Sequence, residues 1–272
     1  MAPNYEPQIA ALVKQYKKAV EQILAELDRL DIPTLSRANS LAALKSVAEI
    51  LSSLNDDSAK WVEENIPLAV RNGIAETIVA LGVAETVDEA LKLAKFNRVN
   101  AELVKAVVAD TQADLLAVTQ NVDKRVKATV RQVTAEVMRD NLSKGINGRK
   151  TMNRQTLEGL RKKLGDSVNT GIIDASGRRW KPQVYVDMVT RTKMMKATND
   201  ATINEAIGRD AYYGKISSHS AKDLCRNWEG KIVKLTEDAP GDYPYYGNLP
   251  NREIFHPNCK HVISPVRVPE RS

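Results

Sequence analysis

The stretch VTQNVDKRVKATVRQVTAEV, residues 118–137, sets valine at Val118, Val122, Val126, Val130, Val133 and Val137. Steps of four and three return to one face of a helix, whereas a strand would need steps of two. No proline or glycine interrupts the chain from Val99 to Lys144, so the pattern predicts one helix of ~45 residues, ~70 Å long at 1.5 Å per residue. The apolar stripe is narrow, and Lys124, Arg125, Lys127, Arg131 and Arg139 take the other faces. A stripe of that width suits a seam against a single partner helix. The six valines are therefore expected to remain partly open and to dock another subunit, the plain alternative being an ordinary bundle helix.

Working outward, the residues before this helix are also helical in pattern. Ile9, Leu12, Val13, Tyr16, Val20, Ile23, Leu24 and Leu27 keep helical spacing, and Pro33 stops them. A second helix is expected over 34–54. The cluster Asn55, Asp56, Asp57 and Ser58 then supplies turn and N-cap chemistry for a third, disturbed at Pro67. Thr86 to Glu89 reads as a capping box opening a short fourth helix.

Beyond the long helix the composition changes. Only Gly73 and Gly82 precede Gly145, while eleven of the 13 glycines lie from there onward, and six of the 11 prolines fall at or after Pro240. After a linker at Gly145 to Gly148, a basic helix is expected from Thr151 to Leu164. A hairpin turning at Asp174 to Gly177 follows, then a helix opened by Pro182 and running to about Asp210. Short β-like runs lie at Lys215 to Ser218, Lys231 to Leu235 and Val262 to Val266. The expected class is α+β: an all-helical domain over residues 1–145, then a small mixed α/β domain with short strands over 150–272.

Charge divides the 272 residues in the same place. Residues 1–150 balance at 20 basic and 20 acidic side chains, so the net charge of +6 belongs to the second half. Between Lys124 and Lys163 there are 12 basic residues against Glu136, Asp140 and Glu158. This belt, including Lys150, Arg154, Arg161, Lys162 and Lys163, is either a solvated helix face or a surface that meets duplex DNA through its phosphates. No run approaches the ~18 apolar residues of a membrane span. The first eight residues carry no basic region of a secretory signal, so folding in the host cytoplasm is expected.

All three histidines and both cysteines lie between positions 219 and 261. Within FHPNCKH, residues 255–261, the order His256, Cys259, His261 lets two or three ligands meet one ion across a turn made by Pro257 and Asn258. Cys225, or His219 as the alternate, would complete a tetrahedral zinc site. A loop braced by hydrogen bonds, a Cys225 to Cys259 disulfide formed after release from the cell, and a Cys259 nucleophile served by His261 or His219 and oriented by Asn258 or Asp223 remain open readings. No phosphate-cradling glycine loop or HExxH helix is present.

Four segments together, YVDMVTRT at 185–192, Ser218 with His219, CRNWEGK at 225–231, and FHPNCKH, resemble the minor capsid proteins of tailed phages of the Mu F-like head-morphogenesis type. The resemblance covers about residues 170–268. Many relatives carry Cys-x-x-Cys where this chain has only Cys225, and Cys-x-Cys where it has Cys259 and His261. The resemblance implies a structural virion protein inside the head, associated with the portal vertex and present in few copies. Portal and capsid subunits would be its partners, and head assembly or genome delivery its role. Arg191 and Thr192 would tie their helix to the loop, or Arg191 would bind an anion in an enzyme, and Trp228 and Gly230 would form a packed turn. The readings of another class are a Cys/His enzyme or toxin-like effector carried in the head, and a host zinc-stabilised nucleic-acid-binding protein.

Overall fold

The computed structural model describes residues 3–143, 152, 154–174 and 176–269; the Gly145 to Gly148 linker, and Lys150 of the basic belt, lie outside them. Among the described residues there are six α-helices: α1 (Glu6–Asp28), α2 (Arg37–Ala80), α3 (Val87–Leu93), α4 (Arg98–Ser143), α5 (Arg154–Asn169) and α6 (Pro182–Ile207). Strands β1 (Ile172–Ile173) and β2 (Arg179–Trp180) make a hairpin between α5 and α6, and β3 (Tyr213–Ile216), β4 (Ile232–Lys234) and β5 (Ile263–Val266) make a sheet in the order β4-β3-β5. Both pairings of β3 are antiparallel. Pro265 stands in β5, an edge strand, where a missing N–H costs no ladder bond on the open side. The class is α+β, as expected.

Contacts gather the chain into two compact units: one takes the residues up to Ile9, Trp61–Thr111 and those from Met188 onward, the other Ala10–Lys60 and Gln112–Asp187. They do not follow a division into 1–145 and 150–272, because each unit draws on both stretches.

In the second of these units α4 is the 46-residue helix that the valine pattern called for. Its stripe, however, is not left open. Val118 and Val122 are 2% exposed and Val126, Val130, Val133 and Val137 are fully buried. From Val122 onward they pack in one core with Val20, Ile23 and Leu27 of α1, Val47 and Leu51 of α2, and Leu160, Leu164 and Val168 of α5. The expectation of a docking face is thus overturned, and its cause lies in α2. The Asn55 to Ser58 cluster does not cap a new helix; α2 runs through it for 44 residues with Pro67 inside, which gives α4 a long cover. The polar cluster is absorbed locally: the Ser58 hydroxyl donates to the Leu54 carbonyl at 2.6 Å, and Asn55 Oδ1 accepts from Thr119 Oγ1 at 2.5 Å.

In the other unit, the end of α2 and α6 around Thr198 to Thr202 approach closely. A Cβ on Gly73 would strike the Thr198 carbonyl, so glycine is required there for contact rather than for a turn. Hydroxyls line the approach: Thr198 Oγ1 donates to the Ala69 carbonyl at 3.2 Å, Thr202 Oγ1 to Gly73 at 3.2 Å, and Thr77 Oγ1 to Thr202 at 3.3 Å. Thr86 caps α3 as its sequence foretold, its Oγ1 accepting from the Glu89 N–H at 3.2 Å. On this part of α6 the buried side chains extend beyond one face, including Met194, Ala197, Thr198, Ala201, Thr202 and Ala206.

Candidate metal centre

The turn that presents the C-terminal cysteine is written in HPNC. The Cys259 N–H donates back to the His256 carbonyl at 2.9 Å, closing a turn with Pro257 and Asn258 in the middle. Asn258 takes φ +66, a left-handed conformation that asparagine tolerates after proline in such a turn. Phe255 has φ +55, a costly conformation for a bulky residue. Its ring meets Tyr246 edge-on at 5.4 Å. Upstream, Asp223 caps the 3-10 turn at Leu224–Asn227 by accepting from the Cys225 N–H at 3.1 Å. Gly230 supplies the positive φ, +75, expected of it, and Trp228 donates from Nε1 to Glu253 at 3.0 Å.

These turns bring three of the four expected ligands together. Cys225 Sγ lies 3.1 Å from His256 Nε2 and 3.8 Å from Cys259 Sγ; both cysteines are free and buried. Two thiolates at ~2.3 Å from one tetrahedral zinc would be separated by nearly that sulfur–sulfur distance. His256 Nδ1 lies 2.9 Å from the Pro257 carbonyl, a contact in which the nitrogen must be the donor, which leaves Nε2 with its lone pair toward Cys225. Asp223 Oδ2 is 3.2 Å from the same Nε2, so a carboxylate stands ready as a fourth ligand. Burial, and next the neighbouring Cys259, push the Cys225 thiol up. That is the reverse of an activated thiolate at Cys225 in the metal-free chain.

His261, expected as the fourth ligand, belongs chiefly to another group. Its Nδ1 is 3.3 Å from Cys259 Sγ, but its Nε2 is 3.3 Å from Glu229 Oε1 and its ring lies 4.0 Å from that of His219. Asn199 on α6 fixes the backbone on either side, donating from Nδ2 to the His261 carbonyl at 3.1 Å and accepting the Ile263 N–H at 3.1 Å. Asn199, Asp223 and Glu229 were not singled out together from the sequence, since polar residues far apart in the chain carry no spacing signal. Burial, followed by the charge of His219, lowers the His261 pKa. His256, Cys259 and His261 also border a cleft of about 290 Å³ with Thr192, Asn199 and Tyr246.

Thr192 joins α6 to the turn, its Oγ1 accepting the Asn258 N–H at 3.2 Å. Arg191 instead grips Glu6 at the start of α1 through its two terminal guanidinium nitrogens, with Lys260 on the same carboxylate at 3.3 Å. The guanidinium is occupied by protein rather than by an outside anion.

The profile of one protein family, phage minor capsid protein 2, matches residues 9–269. The chain belongs to that family. The match reaches through the helical half as well as the Cys/His region that carried the resemblance. No curated protein and no solved structure matches. For this minor capsid protein, no helix among the described residues is long and apolar enough to cross a membrane.

The basic belt of the minor capsid protein lies in the unit that holds the valine core. Among the described residues, Lys127 pairs with Asp123 at 2.6 Å, Arg154 with Glu158 at 2.8 Å, and Lys163 with Glu136 at 3.0 Å. Arg125 is half-buried, while Lys124, Arg131, Arg139, Arg161 and Lys162 are exposed.

Proposed function

We propose that this minor capsid protein is a structural component of the phage head interior, seated at the portal vertex, and that it assists head morphogenesis or genome delivery while touching the packaged duplex. The membership in the minor capsid family carries this reading. Two features of the chain support its parts. The exposed Lys124, Arg131, Arg139, Arg161 and Lys162 offer phosphate contacts that need no base sequence. Both cysteines are buried and face each other at 3.8 Å, which favours a structural role over the Cys/His enzyme. In this reading Cys225, His256 and Cys259 hold zinc, Asp223 or a water completing the tetrahedron, and the ion supplies folding energy to a loop-rich region rather than chemistry.

The test is cross-linking and proteomics of purified DNA-filled particles. Cross-links from the chain to the portal ring and to DNA are the expected result; absence of the chain from purified particles would overturn it. Replacing the five exposed basic residues by glutamine should flatten the salt dependence of duplex binding by the isolated protein, and an unchanged slope would return them to a solvated face.

A further inference from the structure

His219, Glu229 and His261 form a second group of ligand-type side chains, and the zinc reading leaves them unused. Each offers one nitrogen or oxygen, and these atoms lie within 4.8 Å of one another. Glu229 cannot swing away, because its Oε1 accepts the His219 N–H at 2.8 Å and the Ala221 N–H at 3.0 Å. No hydrogen bond to its Oε2 occurs among the described residues. The His219 side chain is exposed and its ring is tilted 35° to that of His261.

His261 joins the two groups. Its Nδ1 lies 3.3 Å from Cys259 Sγ and its Nε2 3.3 Å from Glu229 Oε1, so one edge of the imidazole borders the thiolate centre and the other faces the carboxylate. We infer that His219, Glu229 and His261 are a second divalent-cation site, which takes a transition metal such as zinc with two imidazoles and one carboxylate and leaves its remaining position open to solvent. Such a donor set differs from the thiolate centre: it is harder, only partly buried, and leaves room for a bound water. The inference rests on the thiolate zinc reading and deepens it from one ion to two neighbouring ions.

Cobalt(II) is the probe, added to the full chain purified without an affinity tag. The wild-type protein should take two equivalents, only one of them producing sulfur-to-cobalt charge transfer. His219→Ala, at an exposed position, should lose one equivalent and keep the charge-transfer band. Glu229→Gln, which still accepts the two backbone N–H groups, should do the same. A single equivalent with full charge transfer, unmoved by either variant, would overturn the second site and leave the thiolate centre standing. A charge-transfer band abolished by His219→Ala would show one shared site and overturn it equally. No cobalt binding at all would remove both readings.

Discussion

In the helical unit, Val126, Val130, Val133 and Val137 have no exposed surface and meet apolar side chains of α1, α2 and α5. In the other unit, Cys225 and Cys259 are buried in a core with Ile216, Val233, Leu235, Ile254 and Ile263, and Cys259 also meets Cys225 and His261. A long helix can bury many methyl groups along one line, each fully buried valine contributing ~1.5 kcal/mol or more. A loop region with strands of four residues or fewer gathers its apolar side chains from many short segments, so directional bonds add to contact area there. The lesson is that the same chain is held by two currencies of interaction, and they respond to different insults.

The largest effect should come from charging the valine core. Val126→Asp with Val130→Asp places two carboxylates where no water and no cation reach, at a cost above ~4 kcal/mol. Loss of the cooperative helical transition in urea, read by circular dichroism, is expected. A variant as stable as the parent would mean that α4 is covered far less tightly than its exposure states.

Chelation should do the converse, sparing the valine core. Hydrogen-exchange protection around residues 219–231 and 255–263 should fall about a hundredfold, equivalent to ~2.7 kcal/mol, while α4 keeps its protection. Protein without zinc, whose protection ignores chelator, would break the contrast and leave the loops held by hydrogen bonds alone.

How far the sequence discloses each region follows the same division. Helix α4, the α3 cap, the hairpin turn at Asp174 and the three strand runs were legible because period, capping and turn chemistry are local. The HPNC turn was legible for the same reason, as was the company of Cys225, His256 and Cys259, because all such residues crowd one stretch. The cover on the valines was hidden, since Asn55 to Ser58 resemble a cap until Thr119 and Leu54 are seen to satisfy them. Glu229 was hidden too. Its value lies in which backbone N–H groups and which imidazole it meets, and nothing in one sequence orders those meetings.

Titration sharpens the comparison at a smaller scale. Burial raises the Glu76 pKa from 4.5 to about 7 in the unit that holds the Cys/His loops. Between those values the native state binds the proton more tightly than the unfolded chain, so stability is greatest at the acid end of that window and declines as pH rises through about 7. Glu76→Gln should remove that decline and stabilise the protein at pH ~8 by up to ~2 kcal/mol. A parent melting temperature flat across this window would show that water reaches Glu76.

The smallest effect should appear in the hairpin of the helical unit, with the opposite sign. Asp174 accepts from Trp180 Nε1 at 3.0 Å, from the Arg178 N–H at 2.9 Å and from Arg178 Nε at 2.7 Å. The Trp180 bond first, then those from Arg178, bring its pKa from 3.8 down to about 2. A carboxylate favoured in the folded state supports the hairpin fully above the ordinary aspartate range, and that support is lost as pH falls through about 2. Asp174 is at the surface, so the change should stay local. Followed by NMR, the Trp180 indole N–H resonance should hold its position down to pH ~4 and shift toward its water-exposed value below that. Asp174→Asn keeps one acceptor oxygen but no charge, and its indole resonance should lie near the acid limit at every pH. An indole insensitive to both acid and substitution would mean that the turn is held by its Gly177 geometry, with the aspartate a bystander, and the hairpin would then join the valine core as a structure fixed without charge.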